Sequence, residues 1–202
     1  MIDPMTTVRR DFVVGYLDEI RRCLDLLHAA DVARFLECLE RAYHDDRQVY
    51  VIGNGGSAAT ASHMACDLAK NVYPPVSTMA VRRFRVTSLT DNVALITALA
   101  NDCGYDRVFS EQLNNLLQKD DLVIAISASG NSPNVLDGIA LARERGARTA
   151  ALLGFDGGRA RNMVDVALVV GSDDYGHVED LHLVLNHLVA AWMRQLILAV
   201  VS

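Results

Sequence analysis

Four cysteines, Cys23, Cys38, Cys66 and Cys103, lie scattered through 202 residues and form no CxxC pair. That spacing excludes a zinc ribbon or a disulfide scaffold and predicts reduced thiols in a cytosolic protein. Basic charge is also scarce: 19 Lys and Arg face 25 Asp and Glu, a formal net charge of -6. No nucleic-acid partner is expected from such a balance. Arg82, Arg83 and Arg85 make the one notable basic cluster and read as a solvated loop or a few ligand contacts. Neither a long apolar run nor a basic-then-apolar leader stands out, so no membrane partner and a cytoplasmic location are expected. Met1 to Met5 is expected to fray. Nothing in the chain resembles a repeat, a low-complexity tract or a linker, and its 51% hydrophobic residues suffice for one core, so a single domain over 1–202 is expected.

What is present is an alternation of helical and strand periodicity. Val13, Tyr16, Leu17, Ile20, Leu24 and Leu27 follow helical spacing, and Asp31 is placed to cap a second helix carrying Val32, Phe35, Leu36 and Leu39. Beyond Asp46 short apolar strands are expected at 49–53, 77–81, 122–127, 149–153 and 166–170, with helices at 57–71, 91–100, 106–118, 133–145 and 178–200. This pattern predicts an α/β fold, a parallel sheet flanked by helices, with an N-terminal helical pair and a long C-terminal helix. The last helix is apolar over more than one face, through Leu181, Leu185, Leu188, Val189, Trp192, Met193, Leu196 and Ile197. Packing against further copies of the chain, a homo-oligomer, is the expectation.

Two strands run into turns rich in glycine and serine. The first is Asn54-Gly55-Gly56-Ser57; the second is Ser127-Ala128-Ser129-Gly130-Asn131-Ser132, followed by Pro133. Glycine lets backbone N–H groups approach an anion, serine adds hydroxyl donors, and a helix N-terminus adds partial positive charge. A phosphorylated small molecule held by both turns is expected. Ser132-Pro133 would also start a helix for structural reasons alone. Neither turn carries lysine, and neither has the GxGxxG order, so nucleoside triphosphate and dinucleotide are not expected.

His63 and Asp67 are four residues apart on the helix that begins at the first turn, hence on one face. Glu179, His182, Asn186 and His187 place polar groups in the otherwise apolar last helix, where burial demands partners. Glu179 and His187 are eight residues apart, about 12 Å along a helix. One small-ion site cannot collect both from a single copy, so two subunits are expected to supply them if they share a site.

GNGGS with His63 beyond it, then Asn101-Asp102, SASGNSPN and FDGG, resembles the sugar isomerase (SIS) fold and, within it, the phosphoheptose isomerases, over about residues 10–200. The resemblance implies a single SIS domain with five parallel strands, a homotetramer with interfacial active sites, and a phosphorylated seven-carbon sugar as substrate. It implies conversion of sedoheptulose 7-phosphate to D-glycero-D-manno-heptose 7-phosphate through an enediol or enediolate. It further implies a divalent metal, zinc by preference, on His63, Asp67, Glu179 and His187. Asp67 is then the carbon base, and His187, from a neighbouring subunit, moves protons between oxygens. Asn54, Gly55, Gly56, Ser57, Asn101, Asp102, Ser127, Ala128, Ser129, Ser132 and Glu179 would contact substrate. Two residues depart from the family pattern: Asp67 replaces a glutamate and Glu179 a glutamine. A further family carboxylate aligns with Gly176, for which Asp173 or Asp174 is the candidate substitute. The competing reading is a non-catalytic SIS protein that binds the replication initiator or senses a sugar phosphate.

Overall fold

The computed structural model describes residues 4–73 and 81–201. Helices α1 (Pro4–Asp25) and α2 (Ala29–His44) lead into strand β1 (Gln48–Gly53) and helix α3 (Gly56–Cys66). Strand β2 (Arg85–Ser88), helices α4 (Val93–Asp102) and α5 (Val108–Leu116), strand β3 (Leu122–Ser127) and helix α6 (Pro133–Glu144) follow. The chain ends with β4 (Arg148–Gly154), β5 (Val166–Val170) and the long α7 (Tyr175–Val201). The five strands are all parallel, in the order β2-β1-β3-β4-β5. The expected α/β class, helical pair and long final helix are all found.

Alternation along the strands fills two cores. Val49 and Val51 of β1, Leu122, Ile124 and Ile126 of β3, and Leu152 of β4 join Phe35, Leu39, Met64, Leu68, Leu181 and Leu185 on one face. Tyr50, Ile52, Val123, Ala125 and Leu153 join Phe109, Leu113, Leu136 and Ile139 on the other. Burial on both faces is what near-continuous apolar strands require, and each fully buried Leu or Ile contributes about 1.5–3 kcal/mol.

Several expectations shift. The strand expected at 77–81 lies, apart from Val81, outside the described residues, and the sheet edge is built instead by Arg85–Ser88. Asp31 falls inside the first turn of α2, whose N-cap is His28. Pro4 and Met5 belong to α1. By length and composition α7 is apolar enough over Tyr175–Ala199 to cross a membrane, contrary to the sequence expectation. Its Val178, Leu181, Leu185, Val189, Met193 and Ile197 stripe is nevertheless buried in the α/β core. Outside that stripe Val184, Leu188, Trp192 and Leu198 are exposed, as are Phe12 and Val13 of α1 and Val93 of α4.

Strand order decides where a ligand can sit. From β1 the chain crosses to β2 on one side, and β3 pairs on the other, with Gly53 opposite Ile126. The turns after β1 and β3 therefore diverge to opposite faces and leave a crevice at the carboxyl ends of the strands.

Candidate active site

Both glycine-serine turns line that crevice. Asn54, Ser57, Ser127, Ala128, Ser129, Ser132, Tyr175 and Glu179 surround a cavity of about 140 Å³. Gly55 caps α3 at φ 54°, and Gly130 turns the second loop at φ 62°, conformations that a side chain disfavours. A Cβ on Gly130 would also stand 2.0 Å from the Gly157 carbonyl oxygen, and one on Gly158 would stand 2.3 Å from the Ser129 oxygen. The FDGG segment thus forms the backing of the serine loop.

Hydrogen bonding leaves the serine protons available. Ser127 Oγ accepts the Gly130 N–H at 3.1 Å and Ser129 Oγ accepts the Asn131 N–H at 3.3 Å. A hydroxyl that accepts from backbone keeps its own O–H for an anion. Ser132 is the N-cap of α6 by position, with Pro133 behind it, yet its side chain makes no capping bond. Asn54 is fixed by reciprocal 2.8 Å bonds with Asn134 and by the Tyr105 hydroxyl at 3.0 Å. Two helix N-termini, of α3 and α6, converge on the same small volume and favour an anion there.

Glu179 stands at the rim of this cradle, its carboxylate so close that a Cβ on Gly56 would meet Oε2 at 2.2 Å. Among the described residues no hydrogen bond or ion pair to that carboxylate is formed. Asn101 and Asp102 end α4, exposed and bonded to each other at 2.7 Å. They do not line the cradle of their own chain. Asp174 accepts the Gly176 and His177 N–H groups at 2.8 and 3.2 Å and so caps α7. Together with Asp173 it lines a cavity other than the cradle.

Farther along α3 the helix widens into a π turn, Asp67–Asn71, closed by the Val72 N–H to the Asp67 oxygen at 3.3 Å. Here Asp67, 3% exposed, meets His63 and His187. Oδ2 lies 3.4 Å from His63 Nε2 and 3.9 Å from His187 Nε2, and the two imidazole nitrogens are 3.3 Å apart. With bonds of about 2.0–2.1 Å, ligand atoms around a tetrahedral divalent ion stand roughly 3.3 Å from one another. The three atoms therefore fit three corners of such a site. They all belong to one chain, which corrects the expectation that His187 reaches Asp67 from a neighbouring subunit. Glu179 is not in this cluster.

The cluster opens into a cavity of about 670 Å³ lined also by Lys70, Arg83 and Arg194. Arg83 lies 4.1 Å from the Tyr73 ring centroid. Its neighbours serve structure: Arg82 donates to the Tyr43 and His44 carbonyls, and Arg85 to that of Asp46. Sequence reasoning missed Tyr105, Asn134, Tyr175 and Asn71. Asn134 sat inside SASGNSPN; the others carried no local signal.

His182 is the remaining buried polar group of α7. Its Nε2 donates to the Leu153 carbonyl at 3.0 Å, while Nδ1 is buried without a hydrogen-bond partner among the described residues. Burial pushes its pKa down to about 4, against a smaller opposing effect of the Leu153 bond. The unfolded imidazole takes a proton near pH 6.5 and the folded one only near 4, so stability is retained above that window and lost as pH falls through it. The loss amounts to about 3 kcal/mol at most. Urea midpoints are expected to fall more steeply between pH 7 and 4.5 for the native chain than for His182→Gln; parallel curves would remove His182 as the cause.

Comparison with known proteins places these features in a family. The SIS domain family matches residues 15–154. A phosphoheptose isomerase from Pelobacter propionicus is 38% identical over 98% of this chain and 100% of its own length, and one from Geobacter sulfurreducens 37% identical over 89% and 94%. The solved phosphoheptose isomerase of Neisseria gonorrhoeae superposes with a TM-score of 0.83 at 27% identity, covering 95% of this chain and 99% of that one. With its serine cradle and its His-Asp-His cluster on one helix pair, the chain is a member of the SIS domain family and belongs with the phosphoheptose isomerases.

Proposed function

We propose that this protein is an aldose-ketose isomerase that converts sedoheptulose 7-phosphate to D-glycero-D-manno-heptose 7-phosphate, in the making of nucleotide-activated heptose. The observation that carries the reading is a buried carboxylate, Asp67, just beyond the helix whose first turn forms an anion cradle, facing the imidazoles of His63 on that helix and His187 on α7. Isomerisation needs a base beside the carbonyl, an acid for the oxygens and a group that stabilises the enediolate. Asp67 moves the proton between the carbons, and His187 moves protons between the two oxygens. The hydroxyls of Ser127, Ser129 and Ser132, with Asn54 and Ser57, hold the phosphate. His63, Asp67 and His187 would hold a divalent ion, zinc by preference, which when bound polarises the carbonyl.

The assembly we infer is a homotetramer in which the cradle and Glu179 of one chain face the His63-Asp67-His187 cluster of a neighbour. Three observations support it. Glu179 has no hydrogen-bond or ion-pair partner among the described residues, and it lies two helical turns from His187. The apolar side chains of α1, α4 and α7 are uncovered. A neighbour also gives Asn101 and Asp102 a site to reach. The four free cysteines suit a cytoplasmic enzyme. Asp67 and His187 so close together have no use in a mere initiator-binding or sensing protein. Incubating the purified protein with sedoheptulose 7-phosphate, with and without zinc, tests the reading: an aldose product is expected, and its absence under both conditions would overturn it.

A further inference from the structure

The family resemblance implies a glutamate, one methylene longer, in the place of Asp67, and a shorter acid on the same helix needs something to hold its oxygens where the imidazoles can use them. Two amides do this. Asn71 Nδ2 donates to Oδ1 at 2.5 Å from within the π turn, and Asn186 Nδ2 donates to Oδ2 at 2.9 Å from across α7. Oδ2 is also the oxygen that faces His63 and His187. Each carboxylate oxygen thus has one amide, and the remaining lone pair of Oδ2 is directed to the metal-binding cluster.

Asn186 is an odd choice on packing grounds. It is 1% exposed, beside Leu185 and Val189 of the buried stripe, and its Oδ1 is buried with no hydrogen-bond partner among the described residues. Such an orphan acceptor is a standing cost that a leucine would avoid. Asn186 contributes through Nδ2, whose hydrogen bond among the described residues goes to Asp67.

We propose that Asn186 is a positioning residue: it fixes the buried Asp67 carboxylate so that Oδ2 is held toward the metal-binding cluster and the second lone pair of Oδ1 is left for the proton, despite the shortened side chain. The inference rests on the proposed role of Asp67. Groups that orient metal ligands typically set affinity or rate by 10- to 100-fold. For Asn186→Leu we expect zinc affinity, read by competition with a chromophoric chelator, to fall at least about tenfold. We also expect kcat to fall by roughly 10- to 100-fold with KM for the sugar phosphate nearly unchanged, because the cradle is untouched. A substitution that merely loosened the fold would lower both binding terms together with the melting temperature. Should Asn186→Leu not fold, Asn186→Ser, smaller and too short to reach Oδ2, carries the same expectation. A folded variant whose zinc affinity and kcat stay within about twofold of the native values overturns the proposal. If the native protein turns over no heptose phosphate, the isomerase reading fails, while the zinc measurement still decides whether Asn186 orients Asp67.

Discussion

Asp67→Asn is expected to lower kcat by about 10³-fold, within the range for removing a general base. The amide is the same size as the carboxylate, so the packing around it changes little. Asn71 and Asn186 both donate to Asp67, and an amide presents only one acceptor oxygen to the two of them. One donor then loses its bond, which costs about 1–3 kcal/mol at a buried position. That loss should appear as a modest fall in melting temperature with oligomer size unchanged. The large effect is on turnover, because an amide can neither take a carbon-bound proton nor return it. Zinc affinity should drop as well, since one of three ligand atoms loses its charge. Steady-state kinetics with product detection measure the first effect; persistent turnover near the native rate would remove Asp67 as the base.

The second large effect lies at the other end of the substrate. Ser129→Ala with Ser132→Ala removes two hydroxyl donors whose protons the fold leaves uncommitted. Each hydrogen bond to a charged group is worth about 1.5–3 kcal/mol, so losing two is expected to raise KM by roughly 10²–10⁴-fold. Stability should change little, as Ser132 makes no capping bond and Ser129 accepts only the Asn131 N–H. A KM within a few-fold of native would place the phosphate elsewhere.

Much of this was legible in the sequence because it is local. A strand ending in Gly53 and a strand ending in Ser127, each followed by a helix start, are patterns written within ten residues. That β1 and β3 lie side by side is set by the strand order, which the alternation of elements leaves open, and the crevice follows from that order. The pairing of His63 with Asp67 was likewise readable from four-residue spacing. The edge strand Arg85–Ser88 was not read because it is short and partly exposed, so its apolar signal is weak. The placement of His187 beside Asp67 in the same chain was not readable. It depends on how α7 lies and rotates against α3, which no spacing within either helix encodes. Asn186 shows the same limit: its polarity inside an apolar stripe announced a buried partner, but only the packing identifies Asp67.

What the two variants share is the more telling test. The account holds that a working site joins the serine cradle of one chain to the His-Asp-His cluster of another, although both are present in every copy. Chains carrying Ser129→Ala and Ser132→Ala, mixed with chains carrying Asp67→Asn, dissociated, reassembled together and assayed well below the native KM, should regain activity that neither has alone under that condition. Random assembly at equal amounts pairs an intact cradle with an intact cluster in about a quarter of the sites, so the mixture should recover about that fraction of the native rate. Mixed oligomers that form but stay as inactive as their parents would contradict the account and put the whole site within a single chain.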